Sequence, residues 1–331
     1  MSESTVRYAL ITPARNEAAF IEQTVQSVIG QTLKPVKWLV ISDGSTDATD
    51  EIVKKYLPAN PWIELVRLPE RKERSFGGKA RAFNTGYATF KNLTFDVIGN
   101  LDADISIPDK EYFEFLMRKF ESNPRLGLAG TPFVEDNRTY DYRFASVEHV
   151  SGACQLFRRE CFEAIGGYRL LKSGGIDLTA CLAVRMSGWQ TQTFLEKTIL
   201  HHRDMGSATR GRLAQRYYEG RMDYFLGAHP LWESCRATAR MVKPPFLLGG
   251  LYMSVGYLWP LLLRRPRYLE KEMVAFRQKD QMNRLRVIVR RAMGLAPGAA
   301  DPLAGPPLLK TAGETQVGLN KKGAGRRQTD L

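Results

Sequence analysis

Five strand-like runs separated by helix-like runs fill the first 135 residues, and this alternation constrains the fold more than any other feature. YALITPA (8–14), VKWLVIS (36–42), IELVRL (63–68), FDVIGNL (95–101) and LGLAGTPFV (126–134) are short apolar runs bounded by turn residues. Between them, residues 17–31 place Phe20, Ile21, Val25, Val28 and Ile29 on one helical face, with Asn16 as the expected N-cap. The turn Asp43-Gly44-Ser45-Thr46-Asp47 leads into a helix carrying Ile52, Val53 and Tyr56, and 77–90 and 109–121 read as two more helices. Strands joined through helices cross over rather than fold back as hairpins. The expectation is therefore an α/β fold with a mostly parallel central sheet flanked by helices. Ligands of such sheets bind beyond the carboxyl ends of the strands. Arg15, Asn16, Asp43, Asp102 and Asp104 all fall at ends of that kind.

The pattern changes after Asp141. GACQLFRR (152–159) reads as a strand, 160–165 as a short helix, 178–187 as a helix and TQTFLEKTILHH (191–202) as a strand ending in two histidines. Basic helices follow, then an apolar stretch, a basic helix near 268–292 and a Gly/Pro/Lys-rich tail that is expected to be disordered. The net charge of +13 belongs mostly to this part, since 203–291 holds 18 Lys and Arg against 7 Asp and Glu. Such a field suits an anionic partner, whether lipid headgroups, a phosphorylated carrier or nucleic acid. No nucleic-acid motif accompanies the aromatics Tyr217, Tyr218, Tyr224 and Trp232, so nucleic acid is not expected. The stretch FLLGGLYMSVGYLWPLLL (246–263) is 18 residues without charge, broken by glycines and Pro260 and flanked by cations. One span would put a basic flank outside, so an in-plane or re-entrant element on the cytoplasmic face is favoured over a spanning helix, with a buried bundle helix as the alternative. Cys154, Cys161, Cys181 and Cys235 have no CxxC spacing and read as reduced thiols. The N-terminus lacks a secretory pattern, so a cytoplasmic, peripherally membrane-associated protein is expected.

The chemistry concentrates in Asp102-Ala103-Asp104. On a strand, residues two apart face one way, so both carboxylates could meet one ligand. Hard oxygen ligands suit Mg²⁺ or Mn²⁺ bridging substrate phosphates, while a helix cap or a solvated turn is the ordinary alternative. Neither GxGxxG after a strand nor GxxxxGK[ST] is present, which argues against a Rossmann dinucleotide site and a P-loop.

TPARNEAAFIEQTVQSVIGQT, VISDGSTDATDEI, GGKARAFNTGY and NLDADI, in this order across 8–106, resemble the family 2 glycosyltransferases of the GT-A fold. The likeness continues more weakly to about residue 230. It implies a glycosyltransferase domain over 1–230, a basic helical region over 231–294 with the apolar stretch, and a tail over 295–331. It also implies a nucleotide-sugar donor, foremost a UDP-sugar, and a glycan or polyprenyl-diphosphate-linked acceptor. Pro13, Ala14, Arg15 and Glu17 fall in the family's first nucleotide-contacting loop. Asp43 falls where a carboxylate accepts from the uracil N–H, Lys79 and Arg81 near the base or diphosphate, and Asp102 and Ala103 beside the ribose. Asp102 and Asp104 would hold Mn²⁺ or Mg²⁺, with His201 or His202 completing the shell.

The family's general base lies at a helix start, which here is KSGGIDLTACLAVRMSGW. Only Asp177 is acidic in it, and Ile176 stands where the commoner pattern has Glu. Asp177 is therefore the expected base of an inverting transfer, with Glu148, Glu160 and Glu163 as alternatives. GRLAQRYYEGRMDYFLG lacks the Arg-Trp of the processive pattern QxxRW, so transfer of one or a few sugars is expected. A non-catalytic nucleotide-sugar or glycan-binding subunit of a membrane-associated assembly is the competing reading.

Overall fold

In the computed structural model, residues 5–70, 77–135, 146–171, 173–203 and 211–294 are described. The tail at 295–331 lies outside them. In chain order the elements are β1 (Tyr8–Ala14), α1 (Ile21–Ile29), β2 (Lys37–Asp43), α2 (Thr49–Lys54), β3 (Ile63–Leu68), α3 (Gly77–Thr89), β4 (Val97–Leu101) and β5 (Ile105–Ser106). Then come α4 (Tyr112–Ser122), β6 (Leu126–Gly130), β7 (Phe133–Val134), β8 (Cys154–Arg158), α5 (Arg159–Ala164), α6 (Ile176–Met186), β9 (Gln190–Thr193) and β10 (Ile199–His201). Four helices close the described chain: α7 (Arg212–Phe225), α8 (Pro230–Met241), α9 (Leu248–Leu262) and α10 (Lys271–Ala292).

Seven strands form one sheet in the order β3-β2-β1-β4-β8-β6-β9. The expected parallel pairing holds for β1 with β2 and β4, for β2 with β3, and for β6 with β9. It fails at β8, which runs antiparallel to both β4 and β6, so the sheet is mixed. An apolar run identifies a strand without giving its direction. Two expected single strands are each divided. Pro132, which has no N–H for a ladder, separates β6 from β7, and a turn at 194–198 separates β9 from β10. The pieces β5, β10 and β7 make a second, three-stranded sheet.

Alternation along the strands feeds two cores, one on each face of the sheet. Tyr8, Leu10, Trp38 and Val40 pack with Ile21 and Val25 of α1 and Leu116 and Phe120 of α4. Ala9, Ile11, Leu39 and Ile41 pack with Phe83 of α3, Phe162 of α5 and Val184 of α6. Full burial of each large apolar side chain stabilises by ~1.5–3 kcal/mol, so both faces hold the strand ends in fixed register.

The C-terminal helices pack through glycine. A Cβ on Gly220 of α7 would lie 1.9 Å from the Met253 carbonyl oxygen, and one on Gly256 of α9 would lie 2.0 Å from that of Tyr217. Only glycine lets the two backbones approach this closely. The opposite face of α9 carries Leu251, Val255, Leu258, Trp259 and Leu262, all exposed. This helix has 15 residues, about 22 Å at 1.5 Å per residue. Among the described residues, no helix is long and apolar enough to cross a membrane.

Part of the positive charge expected on the surface turns inward instead. Arg277 is buried and donates to Asp223 Oδ1 (2.9 Å) and the Leu226 carbonyl (2.7 Å). Arg185 of α6 and Arg284 of α10 both pair with Glu148 and Asp280, which ties α10 to the sheet-bearing part.

Candidate active site

The carboxyl ends of β1, β2 and β4 meet at one edge, and their loops are tied together. Asn16 adopts φ +55° and its Oδ1 accepts the Thr46 N–H at 2.8 Å. The N–H groups of Glu17 and Ala18 reach Thr49 Oγ1 (2.8 Å) and Asp47 Oδ2 (3.0 Å). Asn16 is therefore a loop tie and not the N-cap of α1. That place falls to Phe20, whose side chain makes no cap. Pro13 and Ala14 end β1, and Arg15 begins the loop that carries Glu17.

Asp43 is the last residue of β2 and is buried. It does not cap the following helix, whose N-cap is Ala48. Its Oδ1 lies 3.8 Å from Arg81 Nη2. Lys79, near the start of α3, reaches Asp102 Oδ1 at 2.5 Å and the Gly152 carbonyl at 2.8 Å. Burial and the neighbouring Asp104 charge push the Asp102 carboxyl up, against the pull of Lys79.

The strand β4 stops at Leu101, so Asp102, Ala103 and Asp104 occupy the turn into β5 and not a strand as the spacing suggested. The two carboxylates then take different partners. Asp104 faces His201, with Oδ1 at 3.7 Å from Nε2, and faces Arg203, with Oδ2 at 3.4 Å from Nε. Arg203 also pairs with Glu17 and lies over the Phe20 ring. His201 Nδ1 lies 3.4 Å from Glu135 Oε2. Buried and without a well-formed hydrogen bond, this nitrogen faces an acid while Nε2 faces Asp104. A metal-ligating histidine commonly turns its other ring nitrogen to a carboxylate in this way. His202 is turned away: its Nε2 meets Ser106 Oγ at 2.7 Å and its ring stacks on Phe20.

Asp104 and His201 offer an oxygen and an imidazole nitrogen to one point, and Asp102 stands in the same turn. This donor set fits Mn²⁺ or Mg²⁺ sharing its remaining positions with phosphate oxygens. Among the described residues, no group of three or more His, Cys, Asp or Glu is placed to hold a metal ion by itself.

Asp177 sits in the first turn of α6, whose N-cap is Gly175 and not Asp177. Gly175 has φ +85°, and a Cβ there would lie 2.6 Å from Leu226 Cδ1, so the start of this helix is wedged against the end of α7. Asp177 Oδ1 accepts its neighbour's Leu178 N–H at 2.8 Å, and Oδ2 lies 3.5 Å from His149 Nε2. Burial opposes both charges, but the mutual pairing outweighs it. Asp177 falls to about 2, and His149 rises to about 10 with Cys181 contributing. Gly152, whose carbonyl accepts from Lys79, also lies beside Asp177, since a Cβ on it would be 3.2 Å from Asp177 Cβ. Of the alternative acids, Glu148 is tied to Arg185 and Arg284, and Glu163 to Arg159 and Tyr87.

His149, Glu135 and Arg203 were not identified as site residues from the sequence. His149 has no motif around it, and its one signal is scarcity, the chain having four histidines. The cysteines are free as expected, with Cys235 exposed and the others buried.

The profile of glycosyl transferase family 2 matches residues 9–187. The poly-β-1,6-N-acetyl-D-glucosamine synthase of Staphylococcus aureus (strain COL) is 30% identical over 137 residues, covering 41% of this chain and 31% of the synthase. The chain thus spans about a third of the length of the curated relatives it matches. A mannosyltransferase from Pyrobaculum calidifontis, solved with GDP-Man and Mn²⁺, aligns over 89% of this chain and 86% of its own, with TM-score 0.52 and 19% identity. S. aureus TarS 1–349 with UDP-GlcNAc aligns over 87% and 88%, with TM-score 0.50 and 13% identity. At these identities the two structures speak to the fold alone.

Proposed function

The chain belongs to glycosyl transferase family 2, with a GT-A-like fold, and from that premise we propose that it moves a sugar from a nucleotide-sugar donor to an acceptor hydroxyl with inversion. The observation that carries this reading is the meeting at Gly152. Lys79, which pairs with Asp102, donates to the Gly152 carbonyl, and a Cβ on the same glycine would lie 3.2 Å from Asp177 Cβ. A donor diphosphate at the first and an acceptor hydroxyl at the second would stand on opposite faces of one sugar ring, the geometry of a single displacement.

Asp43 would accept a ring N–H of the base, foremost uracil, with Arg15, Glu17 and Arg81 around the nucleotide. Asp102 and Ala103 would meet the ribose, and Lys79 would pass from Asp102 to the diphosphate. Asp104 and His201 would hold Mn²⁺ or Mg²⁺, with Asp102 beside them, and the bound cation would offset charge on the leaving diphosphate. As the acceptor oxygen bonds the anomeric carbon and the sugar–phosphate bond breaks, Asp177 would take the hydroxyl proton. Its pairing with His149 would keep it ionised and aimed. The two aligned structures were solved with GDP-Man and with UDP-GlcNAc, so both nucleotides belong in the test. UDP-, GDP- and dTDP-sugars with Mn²⁺ should be compared by thermal shift and by nucleoside diphosphate release. Stabilisation and release with one class is the expected result. Stabilisation without release for any acceptor would favour the non-catalytic binding subunit, and no response to any donor would remove the reading.

A membrane-surface role at the cytoplasmic face rests on α9. Its outward stripe is apolar, and exposed cations flank it at Lys243, Arg264 and Arg265, a pattern that suits an anionic bilayer surface. This would bring the site to a lipid-linked or membrane-bound glycan acceptor. Replacing Leu251, Val255, Leu258 and Leu262 with Ser should release the protein from anionic liposomes, read by co-sedimentation, with its melting point held by the glycine-packed inner face. Undiminished sedimentation of the variant would rule the stripe out.

A further inference from the structure

Asp177 borders a cavity of about 490 Å³ lined from α6, α8 and α10. Its lining includes His149, Trp232, Arg277, Gln281 and Arg284, and none of Asp43, Lys79, Asp102 and Asp104. We propose that this cavity is the acceptor subsite, that it takes an uncharged, hydroxyl-rich glycan terminus, and that Trp232 and Gln281 determine its specificity. The proposal rests on the glycosyltransferase reading above and adds the class of acceptor and the residues that select it.

Size comes first, because ligand pockets run from roughly 300 to 1,000 Å³, and this one suits one or two sugar rings. Charge comes second. Each guanidinium on its wall already faces a carboxylate: Arg185 and Arg284 face Glu148 and Asp280, and Arg236 and Arg277 share Asp223. An anionic acceptor would lose water and have to compete with these carboxylates for the same guanidinium protons. Hydroxyl groups can instead bond to the remaining carboxylate lone pairs and guanidinium protons without unsettling the pairs.

Unspent hydrogen-bonding capacity is the third argument. Gln281 is buried, and its Oε1 is taken by the His229 N–H at 2.8 Å. Its amide NH₂ has no hydrogen-bond partner among the described residues, and neither has the indole N–H of the half-buried Trp232. A buried amide whose oxygen is taken and whose NH₂ borders a polar cavity can donate to an oxygen bound there. The indole adds an apolar platform with a polar edge, which matches the C–H face and hydroxyl rim of a pyranose. Both residues lie beyond the 9–187 segment shared with the family, so this wall belongs to the chain's own C-terminal helices.

The test uses the full chain and direct binding. The probes are three neutral trisaccharides (β-1,6-linked N-acetylglucosamine, maltotriose and mannotriose), with glucose-1-phosphate as the anionic counterpart. At least one trisaccharide should bind wild type by calorimetry. Trp232→Ala should weaken it about tenfold, the loss of about 1.4 kcal/mol. Gln281→Glu, which keeps the oxygen for His229 and removes the NH₂, should also weaken it. Trp232→Phe should fall between, and covers the case in which the Ala variant does not fold. UDP affinity with Mn²⁺ should be unchanged in all three. Binding of UDP without any trisaccharide, unchanged trisaccharide binding in the folded variants, or tighter binding of glucose-1-phosphate would each overturn the proposal. Failure of wild type to bind any nucleotide would instead strike the glycosyltransferase reading.

Discussion

Asp177→Asn is expected to leave donor affinity near wild type while sugar transfer falls by ~10²–10⁴-fold, the usual size of a general-base contribution. The two effects should separate because, in the proposed function, donor and acceptor would meet different parts of the site. Asp43, Lys79, Asp102 and Asp104 would serve the donor, whereas Asp177 lines the cavity with His149. Asparagine is nearly isosteric, and its oxygen can still accept the Leu178 N–H that Asp177 Oδ1 accepts at 2.8 Å. Because the N-cap is Gly175, no cap is lost, and any fall in melting temperature should come from the lost His149 pairing alone. Isothermal titration with donor and Mn²⁺, beside a transfer assay, reads both quantities. Transfer within a few-fold of wild type would take Asp177 out of the mechanism and turn attention to Glu148, Glu160 and Glu163.

Asp104→Ala should remove metal-dependent donor turnover, by about 10²–10³-fold if the cation contributes several kcal/mol to leaving-group stabilisation. The fold should survive, because Arg203 keeps Glu17 and His201 keeps its Glu135 contact when the carboxylate goes. Asp104→Asn, which keeps the shape, should behave alike. Donor turnover is measured as nucleoside diphosphate release across a Mn²⁺ titration. Wild-type rates at saturating Mn²⁺ in both variants would dismiss the metal reading of this turn. His201→Ala should share the defect and His202→Ala should not, since only His201 faces Asp104.

The split between the two histidines shows the limit of reading a pair from sequence. They are neighbours in the chain, and strand geometry sends neighbours to opposite sides. Which side holds Asp104 depends on how β10 pairs with β5, where His201 stands opposite Ile105. The Asp102/Asp104 pair carries the same lesson. Spacing two apart suggested one shared direction, but β4 ends at Leu101, and a turn obeys no period of two. Asp102 therefore went to Lys79, and Asp104 to His201 and Arg203.

What the sequence determined by itself is local and periodic. The runs 8–14 and 63–68 are strands with the expected bounds, and the apolar face of 17–31 is the face that α1 buries. These follow from burying alternate or helical-face residues, which the chain encodes position by position. The motifs at the carboxyl ends of β1, β2 and β4 were legible for a related reason: each lies within a few residues of the strand end that positions it. Tertiary structure decided the rest. It set the antiparallel direction of β8, the division of the 126–134 and 191–202 runs, and the inward turn of Arg277 and Arg284. It also brought His149 to Asp177, 28 positions away in the chain, and α8 and α10 to the wall of the same cavity. No local pattern specifies such meetings, because the energy that fixes them comes from burying groups against partners distant in sequence.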